Sequence, residues 1–388
     1  MKSNCFIHSP LLALTVFLLL LPGPLCADLT SFSSSSYQDD TLHKLTIFVI
    51  PSNRPLDWSS PASLHKTTKK SWISTVTKKH KYSLGHLFVQ IESPLLDEPV
   101  LTGMSSVSNL EKLKLYLVEK VGLGIMGATM KGALDSREKL EEVISHTLSS
   151  EGRIAFLTFL INKEAVNRVI AFLQTYRDGT GNGPPPSHFY GGAFWPGFDG
   201  EGSGCSAFGM ALVDACGIDV SRPEWFMRVN IPGELVGGRY NNNKRVKNSL
   251  VESYKSWHNG EGELNKDYFK IEMYDPCLIY KWITKRYNER ISVTDKSDIL
   301  TTESEQYLMA VEMGETPDLF APKHYSSEET TLSSRIGPIR GVCIDARQIP
   351  VPHTKPLFTR RKKPSAFIDI FKKELECGKL FPRRKTAK

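Results

Sequence analysis

Strand-like and helix-like stretches follow one another along this chain with no repeating unit. Residues 44–51 are β-branched and aromatic and stop at Pro51, the pattern of a strand. Over residues 85–92 the apolar Leu87, Val89 and Ile91 alternate with His86, Phe88, Gln90 and Glu92, which sets the two groups on opposite faces of a second strand. Residues 99–102 read as a short third strand, and the unbroken apolar run 153–161 as a strand inside the sheet. Helical spacing is carried by Leu110, Leu113, Leu115, Leu117 and Val118 over residues 109–121. It returns after Ser136 over residues 136–146. It returns again after the cap Asn162, with Val166, Val169, Ile170 and Leu173 over residues 163–176. Residues 52–83 are polar and basic without apolar periodicity and predict a long surface insertion. Past residue 217 the signal thins: 225–236 reads as a packed segment, 244–257, 280–287 and 366–375 as helices, and 288–336 as mostly polar loops.

One stretch breaks the rhythm. Between Tyr190 and Gly204, Gly192, Pro196, Gly197, Gly200 and Gly202 interrupt every window that regular structure would need. The chain then turns helical. Ser203 offers an N-cap, Phe208, Ala211, Leu212 and Ala215 recur at helical spacing, and Gly217 stands where a left-handed C-terminal residue belongs. Cys205 therefore falls in the first turn, where unpaired backbone N–H groups and the helix dipole favour a thiolate. Gly200 to Cys205 has neither the Gly-x-Ser-x-Gly frame of a serine nucleophile nor the lysine of a phosphate loop.

A cysteine nucleophile needs an imidazole within hydrogen-bond reach, to stabilise the thiolate and later to protonate the leaving group. His86, on a strand, is the candidate; His188 is nearer in sequence but follows three prolines on a loop. The plain alternatives are a structural strand histidine at 86 and a buried helix cysteine at 205.

Composition narrows the class. With 388 residues, 40% hydrophobic and 23% charged, the chain is an ordinary globular one of a large domain or two. Part of its formal charge of +7 lies in the basic runs 360–363 and 383–385, a tail suited to contact with an anionic surface. No zinc-finger spacing or RNA-binding motif accompanies it, so no specific nucleic-acid partner is indicated. Lys2, the apolar run 11–21 and the segment ending at Ala27 predict a signal peptide, 1–27, and an exported product, secreted or periplasmic, with no membrane span in the mature chain. Cys26 is the alternative, as a lipid-anchored cysteine, although Leu25 is larger than the residue usual before one. Five cysteines follow, Cys205, Cys216, Cys277, Cys343 and Cys377, too irregularly spaced for a disulfide scaffold or a metal site. A bridge from Cys205 to Cys216 or another of them would remove the nucleophile.

The order of these features resembles one known family. A Gly85-His86 strand, a later apolar strand and helix (153–176), an aromatic glycine loop and a cysteine opening an apolar helix are similar to the circularly permuted NlpC/P60-type branch of the papain-like superfamily. There the cysteine helix follows the histidine strand instead of preceding it. The resemblance spans roughly residues 44–240. It implies an α+β fold, with an antiparallel sheet against the cysteine helix, and Cys205 as nucleophile with His86 as base. It implies Tyr190 as an accessory residue and no cofactor or metal. The family carries a small polar residue or histidine on the strand after the histidine; this sequence offers Glu98, Thr102 or Ser105, none in the family's pattern, and Glu98 is the candidate third catalytic group. Implied substrates are amides or esters of peptides, cell-wall peptides or lipids. The same fold without turnover would be a binding or adhesion module. The chain is thus divided into 1–27, a polar lead-in 28–43, a domain 44–240, and a largely helical, basic extension 241–388.

Overall fold

The computed structural model describes residues 43–78, 82–150, 153–181, 183–291, 308–313, 339–363, 365–377 and 379. The expected signal peptide, Cys26, the lead-in before residue 43 and the basic run 383–385 lie outside them, as does most of 288–336.

The elements run β1 (His43–Ile50), α1 (Pro61–Lys78), β2 (His86–Glu92), β3 (Val100–Ser106), α2 (Asn109–Leu113) with a π-helical turn (Lys114–Glu119), β4 (Met130–Leu134) and α3 (Arg137–Ser150). There follow β5 (Ala155–Ile161), α4 (Lys163–Asp178), β6 (Phe189–Tyr190), α5 (Cys205–Ala215), β7 (Phe226–Pro232), α6 (Asn248–Ser253) and β8 (Tyr268–Tyr274). The last are α7 (Pro276–Ile291), β9 (Leu308–Met313), β10 (Ile339–Asp345) and α8 (Ala366–Glu376). Eight strands form one mixed sheet in the order β6-β4-β3-β2-β1-β5-β10-β9, while β7 and β8 make a separate antiparallel pair. Among the described strands, β10 alone runs parallel to a neighbour, β5.

The sheet is covered on both sides, and the alternation in its strands says why. Leu45, Ile47 and Val49 of β1 and Leu87, Val89 and Ile91 of β2 share a core with residues of α4, α5 and α7. Phe48, Ile50 and Phe88, one residue out of phase, pack with Leu140, Val143 and Ile144 of α3. Each such side chain contributes about 1.5–3 kcal/mol by leaving water. β1 is central because both of its faces are apolar, and it pairs with β2 from Lys44↔Glu92 to Ile50↔His86. That register holds His86 level with the end of β1.

Several helix ends follow their sequence signals. Asn162 accepts a 2.8 Å hydrogen bond from the Ala165 N–H and starts α4. Gly217, at φ +87°, closes α5 in the left-handed region.

Other expectations are corrected. The supposed surface insertion 52–83 contains α1, which buries Leu64, His65, Ser71 and Ser74 in place of an apolar stripe. Hydroxyl packing of this kind writes no period of 3.6 into the hydrophobicity. The helix expected over 109–121 becomes α2 plus its π-turn, and of its five apolar positions only Leu115 is buried. In 244–257 only α6 is helical.

The division at residue 240 is not a structural boundary. β7 and β8 lie on either side of it and pair over seven registered residues, Phe226↔Tyr274 to Pro232↔Tyr268. Ile279, Trp282 and Ile283 of α7 enter the main core, and β10, a strand inside the extension expected to be largely helical, joins the sheet. Far from forming an appended extension, α8 lies against the glycine loop, with Phe371 edge-on to Phe189 at 4.7 Å and 4.9 Å from Phe194.

Candidate active site

The glycine loop is held from two sides before it reaches α5. The Ser203 N–H donates to the Phe189 carbonyl and the Gly191 N–H to the Ser203 carbonyl, which fold the loop back on itself. Gly202 is required by this closeness, since a Cβ there would collide with the Phe189 carbonyl oxygen. The C-terminal segment braces the other side: the Asp199 N–H donates to Thr359 O at 2.9 Å, and the Thr359 N–H to Gly197 O at 2.9 Å. The fully buried Glu201 carboxylate binds Arg361 through Nε at 2.9 Å and Nη2 at 2.8 Å.

The N-cap of α5 is Gly204, not Ser203, and no side chain caps the helix. The Ser203 hydroxyl instead bonds the buried Tyr176 hydroxyl at 3.0 Å. Cys205 occupies the first helical position, buried beside the first N–H groups of the helix. α5 lies close on β2 because Gly209 faces Leu87, where a Cβ would overlap that side chain.

His86 opens β2 after Gly85, whose φ of +82° turns the chain into the strand. Its Nε2 lies 3.3 Å from Asp135 Oδ2, and both side chains are buried. The imidazole is also close enough to the Cys205 thiol for each to shift the other's proton affinity. With Nε2 turned to Asp135, Nδ1 is the nitrogen left for the sulfur. Tyr82 stacks on the ring, centroids 4.0 Å apart and planes 14° from parallel.

Asp135 follows β4 directly. Its N–H donates to Gly103 O at 2.8 Å, its carbonyl accepts from Thr102 Oγ1 at 3.1 Å, and its Oδ2 accepts from Ser105 Oγ at 2.8 Å. Lys139, one turn into α3, donates to Oδ1.

These contacts set the charges. Burial pushes the Asp135 carboxyl up, but His86 and Lys139 outweigh it and hold it at about 2. Burial likewise opposes a charged His86, yet the Asp135 carboxylate and the Cys205 sulfur raise it to about 9. Burial pushes the Cys205 thiol up, while the hydrogen bond and charge of His86, the Leu87 N–H and the Ser206 hydroxyl bring it down to about 7. Buried Cys216, by contrast, is raised by burial and by the Asp214 charge, and its thiol donates to Leu212 O at 3.4 Å. Between pH 7 and 9 the pair at the centre is a thiolate and an imidazolium.

Tyr190, on the short edge strand β6, stands beside Cys205, and burial together with that sulfur raises its hydroxyl well above the ordinary range. Lys112 covers its ring, Nζ 5.8 Å from the centroid.

Of the residues picked out by sequence, the fold brings Cys205, His86 and Tyr190 together. Glu98 is not with them: it is exposed and stands 3.9 Å from Arg137. The carboxylate beside His86 is Asp135, supplied by the end of β4, and the two hydroxyls considered for the third place, Thr102 and Ser105, bond Asp135 instead of His86. Nothing in the hydrophobic pattern marked Asp135, which reads as the residue before a helix cap. Tyr82 carried no signal either. His188 is exposed on a short 3₁₀ turn. Cys205, Cys216, Cys277, Cys343 and Cys377 are all free thiols. Among the described residues no group of three or more His, Cys, Asp or Glu is arranged to hold a metal ion, and no helix is long and apolar enough to cross a membrane.

Comparison with known proteins adds no relative: no protein-family model, no curated protein and no solved structure matches the chain.

Proposed function

We propose that this protein is an exported cysteine hydrolase or acyltransferase of the permuted papain-like kind, acting on amide or ester bonds. The observation that carries the reading is the buried line from the Cys205 thiol through the His86 imidazole to the Asp135 carboxylate. A structural histidine needs no such partner on each side, and a structural cysteine needs no lowered pKa.

In this reading the Cys205 sulfur attacks the substrate carbonyl carbon and a C–S bond forms. The developing oxyanion is held at the start of α5 by the Cys205 N–H, and the hydroxyl of Tyr190, beside that cysteine, donates to it. Collapse breaks the C–N or C–O bond, and the His86 imidazolium gives its proton to the leaving amine or alkoxide. A water, or an acceptor amine or alcohol, then loses a proton to His86 and attacks the thioester. The C–S bond breaks and the thiolate returns. Asp135 keeps Nε2 protonated throughout and remains a carboxylate. Tyr82 holds the ring plane. Peptide, cell-wall or lipid-derived acyl groups are the substrates suited to this chemistry.

The test is the pH dependence of Cys205 alkylation by iodoacetamide, read by mass spectrometry, with p-nitrophenyl acetate as the acyl donor. The expected result is an apparent thiol pKa of about 7, a shift toward the free-thiol value of about 8.5 in His86→Ala, and an acetyl group trapped on Cys205. An inert Cys205, or one indifferent to His86, leaves a binding module as the better account.

A further inference from the structure

The segment 107–120 is built inside out. Its carboxylates face the protein: Glu111 accepts the Lys131 N–H at 2.8 Å, and Glu119 binds Arg239 at 2.9 Å. Leu115 is buried, and Tyr116 lies 3.5 Å from His65 of α1. The remaining apolar side chains face out, with Leu110 76%, Val118 61%, Leu117 57% and Val107 56% exposed. A helix that packs on a core shows the opposite arrangement. These side chains stand in a group on a segment whose polar side is anchored, which marks an interaction surface more than a scatter of single residues does.

The charges beside this patch say what it meets. Lys114 and Lys120 lie on the segment itself, and Lys244, Arg245 and Lys247 lie on the strand-like stretch bonded along it. That stretch is tied on by Val246 N–H to Lys120 O at 2.9 Å and by Arg245 Nη2 to Val118 O at 3.1 Å. All five cations are exposed, and none takes part in an ion pair among the described residues. Apolar side chains ringed by cations, with the segment's own carboxylates turned inward, complement an anionic lipid interface: the side chains enter the acyl boundary and the cations meet phosphate headgroups.

We infer that residues 107–120, with Lys244, Arg245 and Lys247, form a docking surface for anionic lipid bilayers. Lys112, on the same segment, covers the Tyr190 ring beside Cys205. Docking therefore sets the thiol at the lipid surface, a consequence that rests on the catalytic reading; the surface itself does not.

Hydrogen exchange of the full chain, with and without vesicles of 30% phosphatidylglycerol in phosphatidylcholine, tests this locally. Slower exchange is expected in peptides covering 107–120 on adding anionic vesicles. Pure phosphatidylcholine should give little protection, and added salt should weaken the effect. The variant Leu110→Ser/Leu117→Ser/Val118→Ser, whose changes are all at exposed positions, should bind roughly tenfold or more weakly. Lys120→Gln/Arg245→Gln should lose the preference for anionic lipid. Circular dichroism of each variant verifies the fold. Binding without protection of 107–120 overturns the proposal, as does unchanged binding by the triple serine variant. Protection that grows with protein concentration in the absence of lipid also overturns it, and assigns the patch to a second copy of the chain. Iodoacetamide alkylation without vesicles should be the same in wild type and the triple variant. An unreactive Cys205 alongside intact lipid docking thus defeats the catalytic reading alone, and a reactive Cys205 without docking defeats this one alone.

Discussion

Asp135 Oδ2, after β4, lies 3.3 Å from His86 Nε2, on β2, with β3 paired between the two strands and both side chains buried. Replacing Asp135 by Asn keeps the shape and removes the charge that holds the imidazolium. Turnover of p-nitrophenyl acetate should fall about 10²- to 10⁴-fold, with a smaller effect on KM, and the basic limb of the profile should move to lower pH. Unaltered turnover in Asp135→Asn, measured by the release of p-nitrophenol, would remove Asp135 from the mechanism.

The pH window follows from two shifts of opposite sign. Cys205 is lowered to about 7, so the thiolate is gained as pH rises through that value. His86 is raised to about 9, so the imidazolium is lost as pH rises through that one. The rate of acyl transfer should climb near pH 7, hold, and fall near pH 9. A profile rising through pH 9 would mean that the thiolate works without the imidazolium.

Acid stability carries a separate sign. Asp135 binds its proton less readily folded, at about 2, than a free carboxyl does at 3.8. Its stabilisation is present above the unfolded value and is lost as pH falls through about 2. The stability difference between wild type and Asp135→Asn, measured by urea unfolding, should therefore be fully present at pH 5 and narrow toward pH 2.

Cys205 and His86 were legible because each is announced locally. One follows glycines and opens an apolar helix; the other opens an alternating strand. Asp135 was not, because its approach to His86 depends on β2 pairing with β3 and β3 with β4, a register no local pattern writes. Ser105 and Thr102, on β3, both bond Asp135, but nothing local to β3 says that β4 pairs beside it. The same limit explains β10: a strand placed by pairing with β5, 185 residues earlier in the chain, looks like any short apolar run between prolines and cations. The outward face of 107–119 misled for another reason. Periodicity marks an apolar stripe but says nothing of whether protein covers it.

Glu201 is fully buried and bound by Arg361. Arg361→Ala should lower stability by about 3 kcal/mol, because it leaves a buried carboxylate without its bidentate partner. Arg361→Ala/Glu201→Leu should recover much of that loss. Differential scanning calorimetry of wild type and both variants decides it; a single variant as stable as wild type would mean that Lys372, 3.9 Å away, is partner enough.

Gly202 allows the loop to touch the Phe189 backbone. Gly202→Ala must push that contact apart, at a cost of about 1–3 kcal/mol, and should slow alkylation of Cys205, three residues on. Normal stability and normal alkylation in this variant would show that the loop can relax without moving the thiol.

The parallel seating of β10 on β5 has a bearing on how the molecule is made. Synthesis delivers His86, Asp135 and Cys205 long before residues 339–345, so a nascent chain holds every group of the centre while the hydrogen-bonding edge of β5 is still open. The braces on the glycine loop, Thr359, Arg361 and Phe371, arrive later still. The glycine loop is therefore seated only after residues 359–371 have been made, and a product cut short before residue 339 carries an apolar strand with an open edge that invites other chains to pair with it.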